Sequence, residues 1–386
     1  MVTAGSRGDG MRRANLSLVL RTVHRDGPRS RAALTEATGL NRSTIADLVG
    51  ELHRAGLVRE RASEALGRVG RPSPIVEPDP RVVAVAVNPE VDALDIGAVA
   101  LDGAIVARER LDQPSLLTPE RTAELVGIHL DRWRGGVLAQ ARLIGVGVAV
   151  PGPVRATDGL VRDAPHLGWT DAPLARLMTD ATGLATHVAN DAALGAVAEH
   201  LFGAARGARD VVYLNGGASG IGGAVIVGGI PLGGAGGYAG EFGQNRPGIA
   251  DPSDRRAVDG VLEDEVSRSL LLAAVGREAR DDTALAAALA DSSDAAVRAE
   301  TDRQRRILAT ALANAANVMN PAVIVLGGFL AALAELDLPG LDRAVRAQTI
   351  PACAEGLRLA VAELGEDRLL VGAAEAVFEA ALFPTR

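Results

Sequence analysis

Residues 186–203 read THVANDAALGAVAEHLFG. Thr186 and Val188 alternate as β-branched residues in a short strand-like run. Ala192 to Phe202 are mostly helix formers, and Gly203 supplies a stop. Asn190 and Asp191 stand at the junction, and both are residue types that favour a helix N-terminus. From that place both side chains can face a cleft.

A strand that passes directly into a helix is the repeating unit of an α/β fold. Working outward, VVAVAV (82–87), LDIGAVAL (94–101), LIGVGVAV (143–150), DVVYLN (210–215), IGGAVIV (221–227) and AVIVLGG (322–328) read as further strands between longer helical segments. The chain has 386 residues, 48% of them apolar, which suits two or three domains. All 40 basic residues are Arg and only 2% are aromatic, a compositional bias without functional meaning. A single cysteine, Cys353, excludes an intramolecular disulfide framework and reads as a buried, inert thiol. No apolar run approaches the roughly 18 residues of a membrane span, and the N-terminal apolar stretch is too short and interrupted for a signal peptide. A cytoplasmic protein without membrane partners is expected.

Charge is uneven. Residues 1–76 hold 13 Arg against 7 Asp plus Glu, so +6, which leaves −14 for the rest of a chain whose net charge is −8. A polyanion would therefore bind the N-terminal part. There, NLSLVLRTVH (15–24) carries Leu16, Val19, Leu20 and Val23 on one helical stripe. Ser30 and Gly39 bound a second helix; Asn41 and Gly56 bound a third, giving a helix-turn-helix pattern. In the third helix Ile45, Leu48, Val49 and Leu52 share the apolar face, so Arg42, Ser43 and Thr44 project from the first turn, the one that enters a major groove. Arg reads guanine bidentately, and hydroxyls reach phosphates or base edges. LVRERASEALGRVGRPSPIVEP (57–78) reads as a wing with Arg68, Arg71 and Pro72 at its tip, near the minor groove. A three-helix packing unit that never touches DNA is the alternative. We assign residues 11–75 to a winged helix-turn-helix and 76–81, proline-rich, to a stiff linker.

RLIGVGVAVPGPV (142–154) leads into DAPHLGWTDAPL (163–174), and the opening stretch leads into DVVYLNGGASGIGGAVIVGGIPLGGAGGYAGEFGQ (210–244), followed by GVLEDEVS (260–267). In this order and spacing the motifs, over about residues 11–380, resemble the ROK (repressor, open reading frame, kinase) family. The resemblance implies a two-lobed actin-like (ribonuclease-H-like) ATPase-type body, with residues 82–190 and 191–370 as its lobes and the C-terminal helix, 371–383, packed back toward the first. Winged-helix members of the family are carbohydrate-responsive transcriptional regulators; members without the winged helix are typically sugar kinases.

By that resemblance a sugar sits between the lobes. Asp191 matches the base of the kinases, though a carboxylate also accepts hydroxyls without chemistry, or simply caps a helix; Asn190 accompanies it. Glu241 and Glu263 match sugar-binding glutamates and would otherwise be surface acids. His166 stands where Asn is common and can still donate and accept. Zinc-holding members carry His and C-x-C-G-x-x-G-C after the GEFG motif. Here Gln244, Asp254, Arg256, Ala257, Gly260 and Val261 occupy the equivalent stretch, so no zinc is expected, and Asp254 and Arg256 would pair locally.

The kinases also need D-x-G-x-T after the first strand. Counting back from Asp102-Gly103 places Asn88-Pro89-Glu90-Val91-Asp92 there, which leaves Asp95-Ile96-Gly97 as a coincidence in the second strand. Glu90 replaces the phosphate-facing glycine and Asp92 the threonine, and like charges roughly 4 Å apart repel by about 1 to 4 kcal/mol. Ala218 and Ser219 modify the second phosphate loop, while Gly327-Gly328 remain near the adenosine position. The expected protein is a sugar-responsive regulator, a repressor in preference to an activator, without catalytic residues or cofactors. It binds a palindromic operator as a dimer or dimer of dimers. A sugar kinase with an added DNA-binding domain and a ligand-independent DNA-binding dimer are the alternatives.

Overall fold

The structure, a computed structural model, describes residues 4–62, 73–249, 251–276 and 282–383. Helix α1 spans Ala4–Asp26, much longer than its apolar stripe implied. Helices α2 (Arg31–Thr38) and α3 (Arg42–Arg54) follow with helix-turn-helix connectivity. Ser30 caps α2 by accepting from Ala33 N–H at 3.1 Å, and Gly39 ends it with φ 70°, a left-handed conformation that only glycine adopts without strain. Asn41 caps α3 by accepting from Thr44 N–H at 2.9 Å. Ile45, Leu48, Val49 and Leu52 are buried with Val19, Leu20, Val23 and Leu34, which fixes the opposite face of α3 as solvent-facing.

Strands Val58–Arg61 and Ile75–Pro78 pair antiparallel as the wing. Arg59 and Arg61 grip Glu77 across it. Residues 76–78 of the expected linker thus belong to the wing's return strand, and Asp79, bound by Arg81, makes the turn into the body. Arg68, Arg71 and Pro72 lie outside the described residues.

Two five-stranded sheets form the body. In the first, Ala93–Ala100 pairs antiparallel with Val82–Pro89 and with Ile105–Asp112, and Arg142–Val150 then Thr186–Asn190 continue in parallel beyond Val82–Pro89. The second repeats that topology: Gly220–Val227 lies between Val211–Gly217 and Ile230–Pro231, and Val323–Gly328 and Arg358–Val361 continue in parallel. After its fifth strand each half emits a helix, Asp191–Phe202 and Arg368–Leu382, and the two pack against one another between the sheets. The C-terminal helix lies on the first sheet, so tightly that a Cβ on Gly147 would stand 1.9 Å from the Ala373 carbonyl oxygen. Asp95-Ile96-Gly97 sit within the second strand, where Asp95 holds Arg108 at 2.6 Å. Cys353, expected to be buried, is half-buried in the short helix Pro351–Ala354. No described helix is long and apolar enough to cross a membrane.

The N-terminal unit is fastened to the body through α1 and the C-terminal helix. Arg21 makes paired 2.6 Å bonds to both oxygens of Glu379, and its guanidinium stacks 4.3 Å above Phe383. His24 is fully buried among Phe202, Phe378 and Phe383. Its Nδ1 faces the Leu101 carbonyl at 2.6 Å and its Nε2 faces Glu375 at 3.0 Å, so only the imidazolium donates to both. Burial and nearby Arg25 disfavour that charge, but the hydrogen bond and charge of Glu375, with the Leu101 carbonyl, outweigh them and raise the pKa above 6.5.

A raised folded pKa gives stability that is complete below the unfolded value and is lost as pH climbs through the folded one. The melting temperature of the wild type relative to Glu375→Gln is therefore expected to be highest near about pH 6 and to shrink as pH rises through the alkaline side of the histidine range. A difference independent of pH in thermal scans would contradict the charged pair.

Candidate functional site

A cavity of about 370 Å³ opens between the two sheets, and all five predicted ligand residues, His166, Asn190, Asp191, Glu241 and Glu263, line it. Asn190, not Asp191, caps the helix: its Oδ1 accepts from Ala193 N–H at 3.0 Å while its Nδ2 donates to the Gly152 carbonyl at 3.2 Å. The capping alternative for Asp191 is thereby removed. Its carboxylate, on the first helical turn, takes the Ala192 N–H at 2.7 Å and otherwise faces the cleft. Burial, reinforced by the charges of Glu90 and Glu241 and opposed by Ala192 N–H and Arg368, pushes its pKa up to about 7. Near neutrality such a group both donates to and accepts from a hydroxyl.

Glu263 is held from two sides. Ile221 N–H donates to Oε2 at 3.1 Å, and the Gln244 amide donates to Oε1 at 2.5 Å. Glu241 is exposed at the mouth, with its pKa raised by partial burial and by Glu263. His166 sits exposed on the turn Pro165–Leu167, anchored by buried Leu167 and by Trp169, whose indole donates to the Leu117 carbonyl at 2.7 Å. Asp163, Asn215, Ser219 and Gln244 also line the cavity, and sequence reasoning did not select them as ligand residues. Asn215 had a signal, a buried polar residue closing an apolar strand before two glycines, whereas Asp163 had none.

A second cavity of about 590 Å³ adjoins the first through shared Pro151, Asp191, Asn215 and Ser219. The NPEVD segment forms one wall. Asn88 donates to Glu90 at 2.7 Å, and Arg110 approaches Glu90 and Asp92 at 3.7 and 3.5 Å. Opposite, Arg368 donates to Asn215 at 3.0 Å. Gly327 and Gly328 line neither cavity: a Cβ on Gly328 would stand 1.9 Å from the Gly216 carbonyl oxygen, so close strand packing explains that glycine.

Asp254 and Arg256 do not pair with each other as expected. Asp254 meets Arg306 at 2.9 Å and Arg256 meets Glu300 at 3.4 Å, because the long helix Ala295–Met319 runs beside the segment and offers partners. With neither thiolate nor imidazole, the segment does not fit a zinc ion. On the N-terminal unit, Arg42 and Ser43 are exposed and Thr44 is half-buried; Ser43 Oγ donates to Asn41 at 2.7 Å, and Arg42 has no acidic partner among the described residues.

A model of the ROK family matches residues 85–380, most of the two-sheet body. The chain belongs to the ROK family. A protein named putative xylose repressor, from Caldicellulosiruptor sp. (strain Rt8B.4), is 26% identical over 380 residues and spans 94% of each chain. A glucokinase from Halalkalibacterium halodurans is 30% identical over 265 residues, 62% of this chain and 78% of its own. Among solved structures, a ROK family transcriptional regulator described as a homologue of the E. coli MLC protein superposes with TM-score 0.75 at 23% identity, covering 96% of this chain and 98% of its own. That likeness shows a shared fold over 96% of the chain.

Proposed function

We propose that the protein is a sugar-responsive DNA-binding transcriptional regulator, acting as a repressor in the cytoplasm, with a carbohydrate effector in the cleft and no kinase activity. One observation carries the reading: a single chain joins an exposed, arginine-bearing first turn of α3 to a cavity whose described lining holds four carboxylates and His166. Carboxylates recognise paired hydroxyls by charge-assisted hydrogen bonds. Full-length similarity to a protein named for xylose repression supports the same conclusion.

The C-terminal helix supplies a route between the two ends. Arg368 at its start faces the cleft beside Asn215, and Glu375 and Glu379 further along grip α1. Movement of the lobes on a bound sugar would tilt α1 and, with it, α3. Two copies about a two-fold axis would place two α3 helices on a palindromic operator. A hundredfold change in DNA affinity requires about 2.7 kcal/mol of differential sugar binding between the two arrangements.

The kinase alternative is opposed by Glu90 and Asp92, which bring carboxylates to the wall where a triphosphate would lie. Incubation with magnesium, ATP and a panel of pentoses and hexoses is expected to yield no sugar phosphate. Catalytic turnover in that assay would replace the regulator by an enzyme.

A further inference from the structure

The segment 254–265 leads directly into the cavity, and a buried arginine ties both its ends. Arg303, in the middle of helix Ala295–Met319, is 2% exposed. Its Nη1 donates to the Asp254 carbonyl at 2.8 Å and to Glu265 Oε2 at 3.1 Å, and its Nη2 donates to the Glu265 carbonyl at 2.7 Å. Glu300 accepts from Nε and Nη2 at 3.0 and 2.7 Å. The equally buried Glu265 carboxylate gathers the backbone N–H groups of Arg256, at 2.9 and 3.0 Å, and of Ala257, at 3.0 Å. Gln304 completes the set through Glu300 at 2.8 Å and Ser267 at 3.1 and 3.2 Å.

A buried ion pair is favourable only when every remaining polar atom is satisfied, and here each has a partner. A metal would organise such a segment by collecting side chains around a cation. This network does it in the reverse sense, with a guanidinium collecting carbonyls and a carboxylate collecting N–H groups. Its output is local. Glu265 closes the short helix Leu262–Glu265, which carries Glu263 into the cavity, and Leu262 N–H binds the Asn245 carbonyl at 2.8 Å next to Gln244.

We propose that Arg303, with Glu265 and Glu300, is the positioning centre that sets Glu263 and Gln244 in the sugar cavity and makes effector binding independent of any metal. This rests on the cavity taking a sugar, as proposed above. The test has two arms on the full-length chain. Hydrogen exchange at 251–266 is measured without ligand in the wild type, Arg303→Met, Arg303→Lys and Arg298→Ala, an exposed control on the same helix, with Glu265→Gln as a milder variant should Arg303→Met fail to fold. D-xylose and D-glucose are then titrated calorimetrically with and without EDTA. Exchange in that segment is expected to accelerate about tenfold or more in Arg303→Met, the size of lost hydrogen bonds to charged groups, with partial rescue by lysine and none of this in Arg298→Ala. Sugar affinity is expected to fall in parallel while the global melting transition is retained, and EDTA is expected to leave wild-type affinity unchanged. Unaltered exchange in Arg303→Met and Glu265→Gln, or sugar binding that EDTA abolishes, overturns the proposal. If neither sugar binds the wild type, the sugar reading fails, and the exchange arm still decides whether Arg303 orders the segment.

Discussion

Asp191→Asn is expected to abolish the sugar response while leaving operator binding intact. The helix that carries Asp191 keeps its cap, because Asn190 supplies it. The carboxylate is held at a pKa of about 7 by burial and by its neighbours Glu90 and Glu241, so a neutral amide of the same shape relieves repulsion in the empty cleft. What it removes is the negative charge and one of the two carboxylate oxygens offered to a sugar hydroxyl, which an NH2 donor replaces. Hydrogen bonds to charged groups are worth about 1.5–3 kcal/mol, so sugar affinity is expected to drop about tenfold to 150-fold. Calorimetric titration and a band-shift dose response measure this together, and an unchanged dose response removes Asp191 from the ligand site.

Arg42→Ala is expected to weaken operator binding by about 1 to 3 kcal/mol and to relax specificity at one base pair. Arg42 opens α3 from an exposed position, and the Asn41 cap holds in place a helix N-terminus whose N–H groups suit a phosphate. Competition between operator and random DNA distinguishes the roles. An equal loss on both, with a salt slope reduced by about 1, makes Arg42 a phosphate contact and not a base reader.

The strands legible in the sequence were those buried on both faces, such as Val82–Pro89 and Val323–Gly328, whose runs of Val, Ile and Leu need no partner to be recognised. The edge strand Ile105–Asp112 escaped notice, because it alternates half-buried and exposed positions and places Arg108 and Arg110 toward the second cavity. The helix ends at Ser30, Gly39 and Asn41 were legible because capping chemistry is local. The five proposed ligand residues were placed by the order of motifs, and neither pattern nor composition alone distinguishes Glu241 from a surface acid. Arg303 gave no signal at all: an arginine amid the polar residues of a long helix reads as solvated, and only the return of segment 254–265 onto that helix buries it. The His24–Glu375 pair was equally invisible, its members being 351 positions apart in sequence.

The central claim joins one cleft to one DNA surface, so it is tested most directly by a band-shift titration. The full-length protein is bound to the DNA upstream of its own coding sequence and challenged, without ATP, with a panel of neutral pentoses and hexoses. The account predicts a retarded complex whose midpoint shifts with at least one sugar, and a shift that disappears in Asp191→Asn. Retention that no sugar alters, or no retention of that DNA at all, would contradict it.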